Sequence, residues 1–274
     1  MPELPEVETV RRSLKKKVLN KTFDSLLVYH DNILGNASAK DLEKEIKNKS
    51  ILDILRRGKW LIFDLGEDLI LSHLRMEGKY FLKDQKAKRE KHEHVIFRFT
   101  DGTDLRYHDV RKFGKILLIK KKDLDTTDAI AKLGLEPWSL NPAYLKEKFS
   151  KKNLPIKAVL LDQSIISGIG NIYADEILFA SKINPHKKAK LLNETEIKKL
   201  IESSKLIIDK AIEKGGTTIR SYISEEGISG RFQNDLMVHL RKDEACFKCG
   251  TKILKDRIAG RSSYYCPKCQ EQNK

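Results

Sequence analysis

The 274 residues suit two domains or one large one, and 40% apolar residues suffice for a real core. A formal net charge of +15 and a pI near 9.5 argue against an enzyme for small neutral metabolites and for a protein that sits on a polyanion. No apolar run approaches the roughly 20 residues of a membrane span, and no hydrophobic signal segment follows the start, so an intracellular setting without a membrane is expected.

The chain opens MPELPEVETVRRSL. Residues 5–18 predict a helix, because Val7, Val10, Leu14 and Val18 recur at helical spacing. Pro5 suits its first position, and Glu6 and Glu8 suit the positive end of the helix dipole. Lys15, Lys16 and Lys17 suit the other end. A second helix is expected over 39–49. Strands follow. WLIFDL and LILSHL flank a Gly66-Glu67-Asp68 turn. VIFRF and the segment from Leu105 flank Asp101-Gly102, a strong hairpin signal, and KILLI from Lys115 reads as a further strand.

The character changes after Leu133. GLEPWSLNP reads as a linker, and helical patterns then dominate. PIKAVLLD predicts a short helix and IYADEILFASKI another, with Asn171 at the end of GIGN as the expected cap. Asn193 and Glu196 form a capping-box start to a long helix that stops at Gly215-Gly216. Residues 217–240 read as a mobile loop. The expected division is 1–132, a linker over 133–145, a helical domain over 146–240 and a small unit over 241–274.

All four cysteines lie in the last 29 residues. Cys246 and Cys249 form one C-x2-C pair, Cys266 and Cys269 another, and 16 residues separate the pairs. Four thiolates complete a tetrahedral shell with no open position, so one structural zinc ion is expected rather than a catalytic one. A tail this short cannot build its own core, and metal binding must supply much of its folding energy. Arg261 lies between Gly260 and two serines in this basic tail, where a ribbon turn would lift it towards a phosphate.

These pieces together resemble the bacterial formamidopyrimidine-DNA glycosylases, the 8-oxoguanine repair enzymes. The resemblance rests on MPELPEVETVRR, RRGKWL, SHLRMEG, YHDVRKFG, GIGNIYADE, GGTTIRSY and the terminal four-cysteine finger, in that order. It implies an α+β multidomain fold. An N-terminal β-sandwich flanked by helices would precede a helix–two-turn–helix bundle carrying a zinc ribbon, with DNA in the cleft between them. The endonuclease VIII branch is similar in architecture but usually starts Pro-Glu-Gly-Pro, and Leu4 here favours the purine branch.

The resemblance also assigns roles. Removal of Met1 would leave Pro2 with a free secondary amine, a group whose class titrates at about 7.7–8.0 and is partly uncharged near neutrality. Pro2 would attack the sugar, expel the base and form a Schiff base, and elimination would then break the strand. Glu3 would donate the proton that opens the sugar. Lys59 would assist β-elimination, and Arg261 would hold a phosphate and assist δ-elimination. Extruding a base leaves a hole, and Met76, Arg111 and Phe113 match the residues that fill it. His92, Arg111, Lys151, Lys157 and Asn171 match DNA contacts. The expected partner is double-stranded DNA with oxidised bases or abasic sites, bound by a monomer in the bacterial cytoplasm, on the nucleoid. GGTTIRSY resembles a loop that closes over the everted base. At His239-Leu240-Arg241 the chain departs from the family's usual Tyr-Gly before the arginine, and a β-carbon at 240 predicts an unstrained backbone there. Two other readings stay open: a DNA-binding zinc protein without activity, and an enzyme for oxidised pyrimidines.

Overall fold

A computed structural model describes residues 1–217 and 230–271, so most of GGTTIRSY lies outside the described residues. The chain divides into two compact units, the first built from Met1–Ala131 and the second from Lys132–Thr217 with Arg231–Lys274.

The first unit begins with helix α1, Leu4–Val18. Glu3 is its cap, so Pro5 takes the second helical position and not the first. Val7, Val10, Leu14 and Val18 are all buried, which fastens the chain terminus to the core. Strand β1 (Phe23–Val28) follows, then α2 (Ala39–Ile46), capped by the Ser38 hydroxyl and shorter than its sequence pattern predicts. Seven strands come next: β2 (Asp53–Arg57), β3 (Trp60–Asp64), β4 (Asp68–His73), β5 (Lys79–Asp84), β6 (Glu93–Phe99), β7 (Thr103–His108) and β8 (Lys115–Lys120). They form two antiparallel sheets, ordered β1-β6-β7-β5 and β2-β3-β4-β8.

One apolar core joins them. Leu26, Phe97, Leu105 and Tyr107 from the first sheet meet Ile54, Phe63, Ile70 and Ile116 from the second, with the inner faces of α1 and α2 alongside. The unit is a β-sandwich flanked by helices. Gly66 and Gly102 turn the two expected hairpins with φ of 95° and 85°, a region that glycine enters without steric cost.

The first unit closes with the short helix α3 (Asp128–Ala131), and the second contains α4 (Pro142–Phe149), α5 (Ile156–Leu160), α6 (Asn171–Ala180) and the long α7 (Glu194–Glu213). Asn193 and Glu196 close the capping box on α7 through backbone bonds of 2.9 Å. The loop expectation for 217–240 fails over its described part. Phe232–Asp235 is a 3-10 turn. The backbone N–H groups of Met237, Val238 and His239 all donate to the Glu176 carboxylate, at 2.8, 3.0 and 2.9 Å. Leu240 has φ of +63°, so the expectation of a relaxed backbone there also fails: a leucine takes the left-handed conformation that glycine adopts freely.

The chain ends in a two-stranded ribbon, β9 (Leu254–Ile258) and β10 (Arg261–Tyr265). Phe179 of α6 packs into its small core with Val238, Ile253 and Tyr264. The Gln270 side chain donates to Ile183 O and Asn184 donates to Gln270 O, at 2.9 and 3.0 Å.

Candidate active site and metal centre

In the first unit the N-terminus leads directly into α1, with Glu3 as its cap. Glu3 is 3% exposed and Glu6 4%, and the Glu3 N–H donates to a Glu6 carboxylate oxygen at 2.8 Å. Glu6 therefore serves the helix start, and Glu3 is a buried carboxyl beside Pro2. One turn on, Glu8 gathers Arg11, Arg12 and Arg56 at 2.8, 2.8 and 3.1 Å. Burial alone would raise its pKa, but the hydrogen bonds from Arg11 and Arg12 and the guanidinium charges bring it down to about 2.

Lys59 opens β3 behind the left-handed Gly58 and is buried, unlike a solvated strand-end lysine. His73 stands across the ladder from Trp60, with its ring against the indole edge at 4.9 Å. Burial first, then the charges of Arg75 and Lys59, push His73 down to about 3, so it is neutral at physiological pH. Its Nδ1 accepts the Arg75 N–H at 3.0 Å, which starts the turn that carries half-buried Met76.

Arg111 and Phe113 lie in the turn between β7 and β8. An extended segment would place both on one face, but Lys112 has φ of +58° and the segment is a turn. The pairing comes about differently: the Arg111 guanidinium lies over the Phe113 ring at 4.8 Å, and Phe113 is 52% exposed. Asp109, fully buried, holds this turn by accepting the N–H of Arg111 at 3.0 Å and of Gly114 at 2.8 Å. His92 is half-buried, ring to ring with His94 and His108.

In the second unit Arg261 is exposed just past a turn at Ala259-Gly260, both with positive φ. Lys151 is exposed beyond α4. Asn171 is the first residue of α6 and not its cap, which is Gly170. The Asn171 side-chain oxygen is buried without a hydrogen-bond partner.

Lys157 corrects its expected role. It is 0% exposed, and its ammonium donates to Asp175 and to Ser262 O, each at 2.7 Å. Asp175 also receives His239 Nδ1 at 2.7 Å. A fully buried, paired ammonium cannot touch a phosphate. Lys157 instead ties α5 to α6 and to the ribbon strand that begins with Arg261.

The four cysteine sulfurs lie within 4.8 Å of one another. Cys246–Cys269 and Cys249–Cys266 are 3.9 and 3.4 Å apart. Thiolates about 2.3 Å from one zinc ion would sit about 3.8 Å apart, so the set fits a single tetrahedral ion. The N–H groups of Lys248 and Cys269 point at Cys246 and Cys266 sulfurs from 3.4 Å, as a thiolate shell requires.

Three family models cover these parts. The formamidopyrimidine-DNA glycosylase N-terminal domain matches residues 1–116, the H2TH domain of the same enzymes 133–223, and a zinc finger found in FPG and IleRS 243–272. The chain belongs to the formamidopyrimidine-DNA glycosylase family. A formamidopyrimidine-DNA glycosylase of Ligilactobacillus salivarius is 47% identical over 98% of this chain and 99% of its own length. One of Bacillus cereus is 45% identical with the same coverage. The Lactococcus lactis Fpg in complex with abasic-site DNA superposes with a TM-score of 0.92 at 40% identity, over 98% of this chain and all of that one. A MutM structure with DNA containing carbocyclic 8-oxo-G gives 0.92 at 41%, over 99% of this chain and all of that one.

Against that family frame, sequence reading missed His73, Asp109, Asp175 and Glu176. Asp109 had a visible signal, since Asp favours the first position of a tight turn and here precedes VRKFG. Asp175 and Glu176 had none, because their partners are distant in sequence. Among the described residues no helix is long and apolar enough to cross a membrane.

Proposed function

We propose that this protein excises oxidised purines such as 8-oxoguanine and formamidopyrimidines from double-stranded DNA, and then cleaves the strand at the abasic site. The observation that carries the reading is the Pro2-Glu3 terminus, anchored by the buried face of α1 in a chain whose relatives in the family align over 98% of it. Once Met1 is removed, the Pro2 amine attacks C1′, the glycosidic bond breaks and the base departs with its electron pair. Glu3 supplies the proton to the sugar ring oxygen as the ring opens. The iminium acidifies the C2′ proton, whose loss expels the 3′ phosphate. Lys59 assists that step, and Arg261 assists the second elimination at the 5′ side.

Met76, Arg111 and Phe113 fill the space left by the extruded nucleotide. An exposed aromatic ring and guanidinium on a stiff turn suit that task better than core packing does. His92, Lys151 and the start of α6 at Asn171 bind phosphates. The zinc ion is structural: it fixes the ribbon that carries Arg261. The protein acts as a monomer in the bacterial cytoplasm, on the nucleoid, and residues 1–132 carry the chemistry while 146–240 and 241–274 grip the DNA.

Borohydride added during reaction with an 8-oxoguanine duplex should trap a covalent complex. No trapping by wild type, with full trapping on an oxidised pyrimidine, would move the substrate to the endonuclease VIII class. DNA binding with no trapping on any lesion would leave a DNA-binding zinc protein.

A further inference from the structure

Tyr107 sits in β7 with pairs on both sides, Tyr80 of β5 and Val95 of β6. It is fully buried, and its hydroxyl forms no well-aligned hydrogen bond, with the Asp109 carboxylate as a polar neighbour. Burial first, then Tyr80 and Asp109, raise its pKa, so the hydroxyl stays protonated. A buried hydroxyl without a well-formed bond contributes little to stability, and phenylalanine would fill nearly the same volume. Core packing alone does not explain the oxygen.

Its surroundings do. The oxygen lies where the bases of two loops meet. A β-carbon on Gly78 would fall inside its radius, and so would one on Gly114, whose β-carbon would also come within 2.6 Å of the ring carbon Cζ. Gly78 closes the loop that carries Met76 by donating to Leu74 O at 2.9 Å. Gly114 closes the turn that carries Arg111 and Phe113 by donating to Asp109 at 2.8 Å. One hydroxyl therefore touches the base of both loops.

We propose that Tyr107 is a positioning residue: its hydroxyl is a spacer that sets the Met76 loop and the Arg111–Phe113 turn in register, so that they enter the DNA together. The proposal rests on the reading of Met76, Arg111 and Phe113 as void-filling residues. Removing the oxygen opens a gap against two glycine backbones, and each loop can then settle alone. A misplacement on the order of 1 Å is enough to cost a step about tenfold or more.

The test is stopped-flow fluorescence of a duplex with 8-oxoguanine opposite cytosine and 2-aminopurine next to that cytosine, which reports insertion of the wedge. Tyr107→Phe should slow insertion about tenfold relative to wild type, with an unchanged or higher Tm. Single-turnover excision from a duplex gapped opposite the lesion, which offers no void to fill, should stay within about twofold. Loss on both substrates would mean a general folding defect and would overturn the positioning role. So would an insertion rate within about twofold of wild type. Gly114→Ala gives a second route: it should slow insertion in wild type and less so in the Tyr107→Phe background, and equal losses in both would overturn the proposal. Phe113→Ala separates the two levels of the argument. If it too inserts normally, the void-filling reading fails and takes this proposal with it; if it is slow while Tyr107→Phe is normal, only the role of Tyr107 fails.

Discussion

Replacing Lys157 by methionine keeps the length of the side chain and removes its charge. In the folded protein this strips the fully buried Asp175 of a partner at 2.7 Å and leaves Ser262 O, half-buried, without that donor. Breaking a buried ion pair costs about 3–5 kcal/mol. His239 Nδ1 remains 2.7 Å from Asp175 as a second hydrogen-bond partner, so the lower end, about 3 kcal/mol, is expected. For a chain of this size each kcal/mol moves Tm by about 2–4 °C, giving a fall of about 6–12 °C. Calorimetry on the zinc-loaded protein reads it. The Lys157→Met/Asp175→Asn double variant should recover part of the loss, because no buried charge is then stranded. The salt dependence of DNA binding separates this account from direct contact. Lys157→Met should keep the wild-type slope of log affinity against log salt, whereas Lys151→Ala should lose about 0.9 from it. A Tm change under 2 °C, or a slope lost on Lys157→Met, would refute the reasoning.

Three further outcomes are expected. Glu8, held at about 2 by its arginines, contributes stability above the ordinary carboxylate value that is lost as pH falls from about 4.5 towards 2. After allowance for water at its exposed end this is about 2 kcal/mol, and the Tm gap between wild type and Glu8→Gln should close over that range. One zinc per chain should be released by a thiol-modifying reagent, with loss of ribbon structure by circular dichroism and of DNA affinity in a gel-shift assay; full affinity in the zinc-free protein would contradict the structural role. Leu240→Gly should relieve a left-handed leucine worth about 1–2 kcal/mol, against about 0.5–1 for the extra freedom of glycine when unfolded, so Tm should rise by roughly 2 °C.

The β-rich character of the first unit and the zinc site were legible because their signals are local, whereas the sandwich itself came from the family resemblance. The hairpins at Gly66 and Gly102 announce themselves in dipeptides, and two C-x2-C pairs leave little choice of chemistry. The strands β1, β2 and β5 were not seen. All three are sheet edges, and FDSLLV, DILRR and KYFLKD carry the charges that protect an edge and blur its alternation. The site divides in the same way. Pro2, Glu3, Lys59 and Arg261 were named from motif order, not from spacing or periodicity. The long-range ties could not be read at all: Glu176 meets residues 61 to 63 positions away, and Lys157 meets Ser262 105 positions away. For that reason a buried structural lysine passed for a DNA contact, and a fixed segment near His239 passed for a loop.

The central claim is that the amine of Pro2 forms the covalent bond to DNA. Protease digestion of the borohydride-trapped complex, followed by mass spectrometry, tests it most directly. The account predicts that the sugar remnant lies on the N-terminal peptide beginning at Pro2, with Met1 absent. It also predicts that a protein bearing one extra N-terminal residue gives no adduct there. An adduct on a lysine-bearing internal peptide, above all the one containing Lys59, or trapping in full by a chain that retains Met1, would contradict it.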